Sequence, residues 1–171
     1  ARRPAAPAVP TAGSSIPVVM PDTGVATGTR LVLPLTVDMS GVGPLGSFQG
    51  SVRFEPGVLT YVDVGVGTFS GTVELNTDSA AAGLVRFAGA SSDTLLHRGL
   101  VRLLELTVDV VGFGGEVVEV VPVIEELALA GSFQSVTSSS AVAGGSVTVD
   151  PGALRLWLRP HPAGAQQNAP T

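Results

Sequence analysis

Short runs in which apolar and polar side chains alternate, each closed by glycine or proline, constrain this chain more than any other feature. Leucine and valine occupy every second position of residues 31–37, and phenylalanine, glycine and valine do so in residues 48–54. The clearest run lies within residues 99–111. Successive side chains of a β-strand point to opposite faces of a sheet, so these runs predict strands with one buried face and one wet face.

Further strands are predicted between turns that glycine and proline supply. The chain has 22 glycines and 13 prolines, and its apolar side chains are mostly branched or small, which suits a pleated surface. About nine short strands at this spacing are typical of an all-β sandwich. The further strands cover residues 58–64, 72–77, 84–90, 116–121, 127–130 and 145–149.

Two places depart from this regular strand pattern. Pro34 has no amide hydrogen, so its amide side is predicted to face a sheet edge or solvent. Residues 95–104 have room for one helical turn, although no segment keeps a sustained helical period.

The sequence divides into a central domain between two extensions. Residues 1–14 are rich in proline and alanine and predict an extended arm or linker. Residues 15–150 hold the strand pattern and predict one sandwich domain. Within the extension of residues 151–171, the alternating segment 153–159 predicts an extra strand ahead of a proline-rich tail. The apolar side chains of this extra strand are Leu154, Leu156, Trp157 and Leu158.

Charge and cysteine content exclude several classes of function. The net charge is −5, and no basic stripe alternates with aromatic side chains, so nucleic acid is not a predicted partner. The chain has no cysteine, which excludes disulfides and thiol catalysis. No apolar run approaches the roughly 20 residues that cross a bilayer. The opening Ala1 to Pro4 is interpreted as a mature N-terminus left by signal cleavage, which predicts a secreted, cell-surface protein.

The side chains that could carry catalysis do not form a recognisable active-site pattern. Only two histidines occur, His97 and His161, so no histidine cluster is predicted to bind zinc. Residues 91–93, Ser-Ser-Asp, precede His97 without the strand-to-helix turn that exposes a nucleophilic serine. Glu125 and Glu126 are adjacent, so on a strand they are expected to point to opposite faces instead of into one cleft. The sequence therefore predicts no enzyme.

Calcium is the one ion for which the sequence offers candidate ligands. Carboxylate and amide oxygens are the ligands that calcium prefers, and the spacing rules outside the EF-hand are loose. The candidates are Asn76 with Asp78, and Asp22 near the first strand. The alternative is that these side chains stabilise turns. No other cofactor is predicted.

The succession of motifs resembles the cohesin family, within the superfamily that also contains carbohydrate-binding modules. The resemblance covers about residues 15–150 and leaves both extensions outside it. It rests on five motifs: a leucine-rich strand, a glycine and aromatic strand that ends in an acidic-proline turn, a second glycine-led strand, a long strand and a closing glycine-led strand. These motifs are residues 31–37, 46–59, 83–91, 103–110 and 144–149.

This resemblance implies a nine-stranded jelly-roll sandwich that binds a calcium-loaded dockerin or dockerin-like partner through one sheet face, or serves as a surface adhesion and assembly module. The binding face would fall on outward positions of three strands, with Asp78 and Ser91 in adjacent loops. Those outward positions are Gln49, Ser51, Arg53, Glu74, Asn76 and Arg86.

Two other functions remain open at this point. In the first, the protein is a self-assembling subunit of an extracellular filament or surface layer, joined by strand addition through its terminal arms. A strand such as residues 153–159 can add to the sheet edge of another copy, and the extended N-terminal arm is a second candidate for this contact. In the second, the protein is a carbohydrate-binding module, with Trp157 as the platform on which a sugar ring stacks. All three readings predict a non-catalytic role.

Overall fold

The computed structural model describes residues 15–151, and this part of the chain is built almost entirely of β-strands. Two single turns of 3₁₀-helix lie at Ala80–Ala82 and Thr137–Ser139. No helix among the described residues has the length and apolar character needed to cross a bilayer. The strands are β1 (Ile16–Val19), β2 (Thr23–Ala26), β3 (Arg30–Asp38), β4 (Leu45–Arg53), β5 (Leu59–Val66), β6 (Thr72–Asn76), β7 (Leu84–Ala90), β8 (Leu100–Val110), β9 (Val117–Leu129), β10 (Ser140–Ala143) and β11 (Gly145–Asp150).

The strands form two sheets that enclose one core. The five-stranded sheet has the order β10-β1-β3-β8-β5, and the six-stranded sheet has the order β2-β11-β9-β4-β7-β6. The predicted β-sandwich is therefore confirmed. The predicted count of about nine also fits, because β1 with β2, and β10 with β11, are each one run of chain that changes sheet after a short break.

The first run of chain ties the two sheets together. β1 pairs in parallel with β10 in the five-stranded sheet, and β2 pairs in parallel with β11 in the six-stranded sheet. Between them, the amide of Met20 donates to the carbonyl of Ala143 at 3.2 Å. The Asp22 carboxylate accepts a hydrogen bond from the Ser146 amide at 2.9 Å. The beginning and the end of the domain therefore close the same side of the sandwich.

The apolar side of each alternating run forms the core. Leu33 and Leu35 of β3 and Leu104 and Leu106 of β8 are almost completely buried. Full burial of one such side chain stabilises a fold by about 1.5–3 kcal/mol. A cluster of phenylalanines fills the space under β4 and β7, where the rings of Phe48 and Phe69 meet edge to face at 4.8 Å.

Strand β9 differs from the sequence-based prediction. Residues 116–121 and 127–130 were predicted as separate strands, but residues Val117–Leu129 form one strand of 13 residues. Pro122 does not interrupt it: Pro122 pairs with Val52 of β4, and the pairing of β9 with β11 ends at Val120, so within the described residues the other side of β9 carries no paired strand at this proline.

The predictions for residues 95–104 and for Pro34 have different outcomes. Residues 95–104 contain no helical turn: the chain there is a loop that leads into β8. Pro34 pairs with Glu105 of β8, whereas the pairing of β3 with β1 extends only to Thr36 and Val37. Pro34 therefore lies where one side of β3 is open, as expected for a residue without an amide hydrogen.

Replacing Gly50 by alanine is expected to destabilise the domain by about 1–3 kcal/mol, because overpacking a close contact has this effect. A Cβ atom at Gly50 would overlap the carbonyl oxygen of Val123 and come within 2.9 Å of the Phe87 ring. Gly65→Ala is the matched control, since a Cβ there meets nothing within 4 Å. Denaturant unfolding measures both. Equal stability of the two variants would contradict the close β4–β9 contact.

Candidate functional site

The outer face of the six-stranded sheet carries all six side chains that the sequence predicted as a binding face. In one row across the sheet, Glu74 of β6 pairs with Ala88 of β7, and Ala88 pairs with Gln49 of β4. In the next row, Asn76 pairs with Arg86, and Arg86 pairs with Ser51. Arg53 follows at the end of β4. The structure therefore brings together residues that lie up to 37 positions apart in the sequence.

These rows border an open groove of about 480 Å³, which we call the sheet groove. Its floor is shallow, because the outward side chain of Ala88 is small and the inward-facing Gly50 presents only its backbone there. Polar and charged side chains form its sides. The lining residues are Gln49, Gly50, Glu74, Leu75, Asn76, Arg86, Phe87, Ala88 and Glu125.

A β-bulge adds two carboxylates to this face. Gln49 pairs with Glu126 and Gly50 pairs with Ile124, so Glu125 is the extra residue on β9. Both glutamates are exposed, and the Gln49 side-chain amide donates to Glu125 Oε2 at 3.0 Å. The expectation that Glu125 and Glu126 point to opposite faces is wrong, because the bulge breaks the strict alternation of the strand.

The six predicted residues do not contribute equally. Gln49, Arg53, Glu74, Asn76 and Arg86 are exposed. Ser51 is only 8% exposed, because it lies between its paired neighbours on β7 and β9. A partner would therefore contact the side chains around Ser51 more than its hydroxyl.

Sequence reasoning missed an apolar strip on the same face. Val121 and Val123 of β9 pair with Arg53 and Ser51 and are 39% and 42% exposed. Val117 lies on the same outward side of β9 and is 64% exposed. The sequence did mark this side, since Glu119 lies on it between Val117 and Val121, but the predicted strand ended at residue 121 and left Val123 out.

The charges on the two outer faces are arranged differently. On the five-stranded sheet, Arg30 and Asp109 form an ion pair at 2.8 Å, and Arg102 and Glu105 form another at 2.9 Å. The hydrogen bond from Arg30 lowers the pKa of the Asp109 carboxyl. Among the described residues, the charged side chains of the sheet groove form no ion pair. Their charges are therefore open to a partner.

The candidate calcium ligands already stabilise turns and strand breaks. Asn76 Oδ1 accepts the amide of Asp78 at 3.0 Å, and Asp22 Oδ1 accepts from Ser146. A second pocket brings Asn76 and Asp78 beside the cationic Arg86, which opposes a cation there. The described residues contain no group of three or more metal-binding side chains. Calcium binding by this chain stays a prediction.

The serine, aspartate and histidine of residues 91–97 hold their own loop together. Ser91 Oγ accepts the amide of Asp93, and Asp93 Oδ1 accepts the amide of Leu95. His97 has a left-handed backbone, with φ of 59°, and stacks on Phe69 with ring centroids 4.4 Å apart. Its Nε2 accepts the amide of Ser70 at 3.0 Å, which joins this loop to the loop before β6.

The predicted extra strand cannot be placed. Leu154, Leu156, Trp157 and Leu158 lie outside the described residues, and so do residues 1–14. The sugar-binding alternative depends on Trp157 and stays a prediction for the same reason.

The fold resembles those of solved cohesins, whereas no protein-family model and no curated protein matches the sequence. The sixth cohesin of scaffoldin B from Acetivibrio cellulolyticus, solved in complex with a mutant Cel5 dockerin, has a TM-score of 0.68 and 14% identity, covering 80% of this chain and 99% of that one. A non-cellulosomal cohesin from the archaeon Archaeoglobus fulgidus has a TM-score of 0.65 and 16% identity, covering 79% and 91%.

A third solved structure is a cohesin in complex with its dockerin. The type I complex of the OlpA cohesin and dockerin 918 from Clostridium thermocellum has a TM-score of 0.67 and 10% identity, covering 79% of this chain and 99% of that one. The chain therefore has a cohesin-like β-sandwich fold, as the sequence motifs implied. At these identities the likeness defines the fold, and function must be argued from the site.

Acidification below about pH 6.5 is expected to destabilise the domain through His97. Burial lowers the pKa of His97 below its ordinary value of 6.5, so the unfolded chain binds more protons as the pH falls. The contribution of neutral His97 is complete above pH 6.5 and is lost as the pH falls through the lowered pKa.

Denaturant unfolding over roughly pH 8 to pH 5, the range in which histidine titrates, measures this loss. The wild type and His161→Gln should lose stability with a similar slope, and His97→Gln should show a shallower slope. A His97→Gln variant with the wild-type slope would show that another group is responsible.

Proposed function

We propose that this domain is a non-catalytic binding module that recognises a partner protein domain on the sheet groove. The observation that carries the proposal is the pair of rows that cross β6, β7 and β4, in which Gln49, Glu74, Asn76 and Arg86 converge on one exposed surface. The second outer face of the sandwich differs, because its arginines are engaged in ion pairs with their own neighbours.

The comparisons support a protein domain as the partner. Two of the cohesins described above were solved in complex with dockerins, so a dockerin-like domain is the partner class that we propose for this chain. Such a partner would dock on the outer face formed by four adjacent strands, β9, β4, β7 and β6.

The chemistry of the face defines what the partner must offer. The floor is made of small residues, so the partner must supply the large side chains that fill it. Arg53 and Arg86 favour carboxylates, and Glu74 and Glu125 favour cationic groups. Next to them, Val121 and Val123 provide the apolar centre that a desolvated contact needs. A partner with both charges and a few protruding apolar residues fits this surface.

Secretion to the cell surface and calcium binding, both predicted from the sequence, are also part of this proposal. Secretion to the cell surface is tested by fractionation of cells that express the full chain. Calcium binding by the chain itself is tested by calorimetric titration of the purified protein, with magnesium as the control ion. Heat release with calcium alone would support a site on this chain, and its absence would assign any calcium dependence to the partner.

Placing an arginine in the floor of the sheet groove is expected to weaken partner binding strongly. Ala88→Arg fills the space between Glu74 and Gln49, and Thr107→Arg is the matched control on the outer face of β8. Binding to a panel of dockerin domains, including the two from the solved complexes, is measured by calorimetry. We expect at least one dockerin to bind, with affinity about a hundredfold lower for Ala88→Arg and unchanged for Thr107→Arg.

Two outcomes would contradict the proposal. If no dockerin binds the wild type, the partner class is wrong. If both arginine variants bind as the wild type does, the sheet groove is not the binding surface. Circular dichroism and unfolding midpoints of both variants establish that each is folded.

A further inference from the structure

Four strand edges are open at the sides of the sandwich within the described residues. They belong to β10 and β5 in one sheet and to β2 and β6 in the other. An open edge presents unpaired amide and carbonyl groups and can accept another strand, which proteins prevent with short edges and bulges. β2 and β10 have only four residues each, and β5 carries a bulge between Tyr61 and Asp63. β6 pairs with β7 in unbroken register and contains no proline.

The inner row of β6 leaves apolar surface half covered. Val73 and Leu75 pack against the core, yet both remain partly exposed. In the outer row, Thr72, Glu74 and Asn76 are exposed. A strand with apolar residues on one side and cationic residues on the other would cover the inner row and face Glu74 on the outer side.

Charge is divided unequally between the domain and its extensions. All fourteen acidic side chains lie between Asp22 and Asp150, together with only five of the nine arginines, so the domain carries a net charge of −9. The remaining arginines lie in the extensions, which contain no acidic residue. These arginines are Arg2, Arg3, Arg155 and Arg159. Attraction between an extension and a domain surface is therefore expected.

Residues 153–159 have the pattern that the edge of β6 requires. Their leucines and their arginines occupy alternate positions, with Trp157 on the arginine side. In an extended strand, Leu154, Leu156 and Leu158 would lie on one face, where they match Val73 and Leu75. The seven residues of this segment also suffice to span the five residues of β6.

The segment cannot reach β6 of its own chain. β11 is the second strand of the six-stranded sheet and β6 is the last, so a strand added beyond β6 would lie about 24 Å from β11, at ~4.8 Å per strand. Leu154 follows Pro151 by three residues, which extend over at most about 11 Å. Residues 153–159 can therefore reach the edge of β6 only in a second copy.

We propose that residues 153–159 of one copy add as a strand to the open edge of β6 in a second copy. Each copy then has one donor segment and one acceptor edge at different places on its surface. Such a contact is heterologous and repeats, so the copies assemble head to tail into a chain. The proposal does not depend on a dockerin partner, although Glu74 borders both surfaces.

Two full-length variants separate the donor from the acceptor. Leu156→Asp places a charge on the apolar side of the donor segment. Thr72→Lys with Glu74→Lys places two lysines along the acceptor edge, where lysine opposes strand addition. Sedimentation velocity is expected to show concentration-dependent association of the wild type. Each variant alone should need at least about a tenfold higher concentration to associate.

Mixing the two variants provides the decisive step. The donor variant keeps its β6 edge, and the acceptor variant keeps its segment 153–159, so an equimolar mixture should form a one-to-one dimer and nothing larger. Trp157 is the only tryptophan of the chain and reports the contact. Its emission should change in the mixture and in the concentrated wild type, and remain unchanged in each variant alone.

Matched controls carry the same charge changes elsewhere. Thr60→Lys with Asp63→Lys modifies the edge of β5, and Ala165→Asp modifies the tail beyond the donor segment; both should associate as the wild type does. A wild type that stays monomeric at all concentrations overturns the proposal. The proposal is also overturned if the reason is that residues 153–159 add to β2 of their own chain. Equal loss of association in the β5 control would show that net charge, and not the β6 edge, governs assembly.

Discussion

The register of β4 between β7 and β9 is the constraint on which the rest of the structure depends. β4 is hydrogen-bonded on both sides, and its side chains alternate between the phenylalanine cluster and the sheet groove. A slip of one residue against either neighbour would turn Gln49 and Arg53 into the core and expose Phe48 and Val52. The burial of those apolar side chains therefore orients the polar ones, and the candidate site needs no separate stabilisation.

The two outer faces of the sandwich differ in how their charged side chains are paired. On the five-stranded sheet, Arg30 and Arg102 are satisfied within the domain, and exposed pairs of this kind contribute little to stability. The six-stranded sheet combines unpaired charges, a floor of small residues and the open edge of β6. The sheet groove and the proposed assembly edge of β6 both lie on the six-stranded sheet. The five-stranded sheet packs against it and supports it.

The cohesin resemblance placed Gln49, Glu74 and Arg86 on one binding face, and period-two alternation was enough to predict the sandwich. It did not predict that Glu125 joins them, because a bulge arises from pairing between β4 and β9 and leaves no local signal in the sequence. The split first run was missed for a related reason. β1 and β2 are short, and they are strands because β10 and β11, far along the chain, pair with them.

Hydrogen exchange of the full chain, measured peptide by peptide, tests the central claim that the six-stranded sheet carries both contacts. The account predicts added protection at β4 and β7 when a dockerin partner binds, and at β6 and residues 153–159 when the protein is concentrated alone. β3 and β8 should exchange at the same rate in every state. Protection that appears instead on β3, β8 and β5 would contradict the account, because it would place the working surface on the opposite sheet.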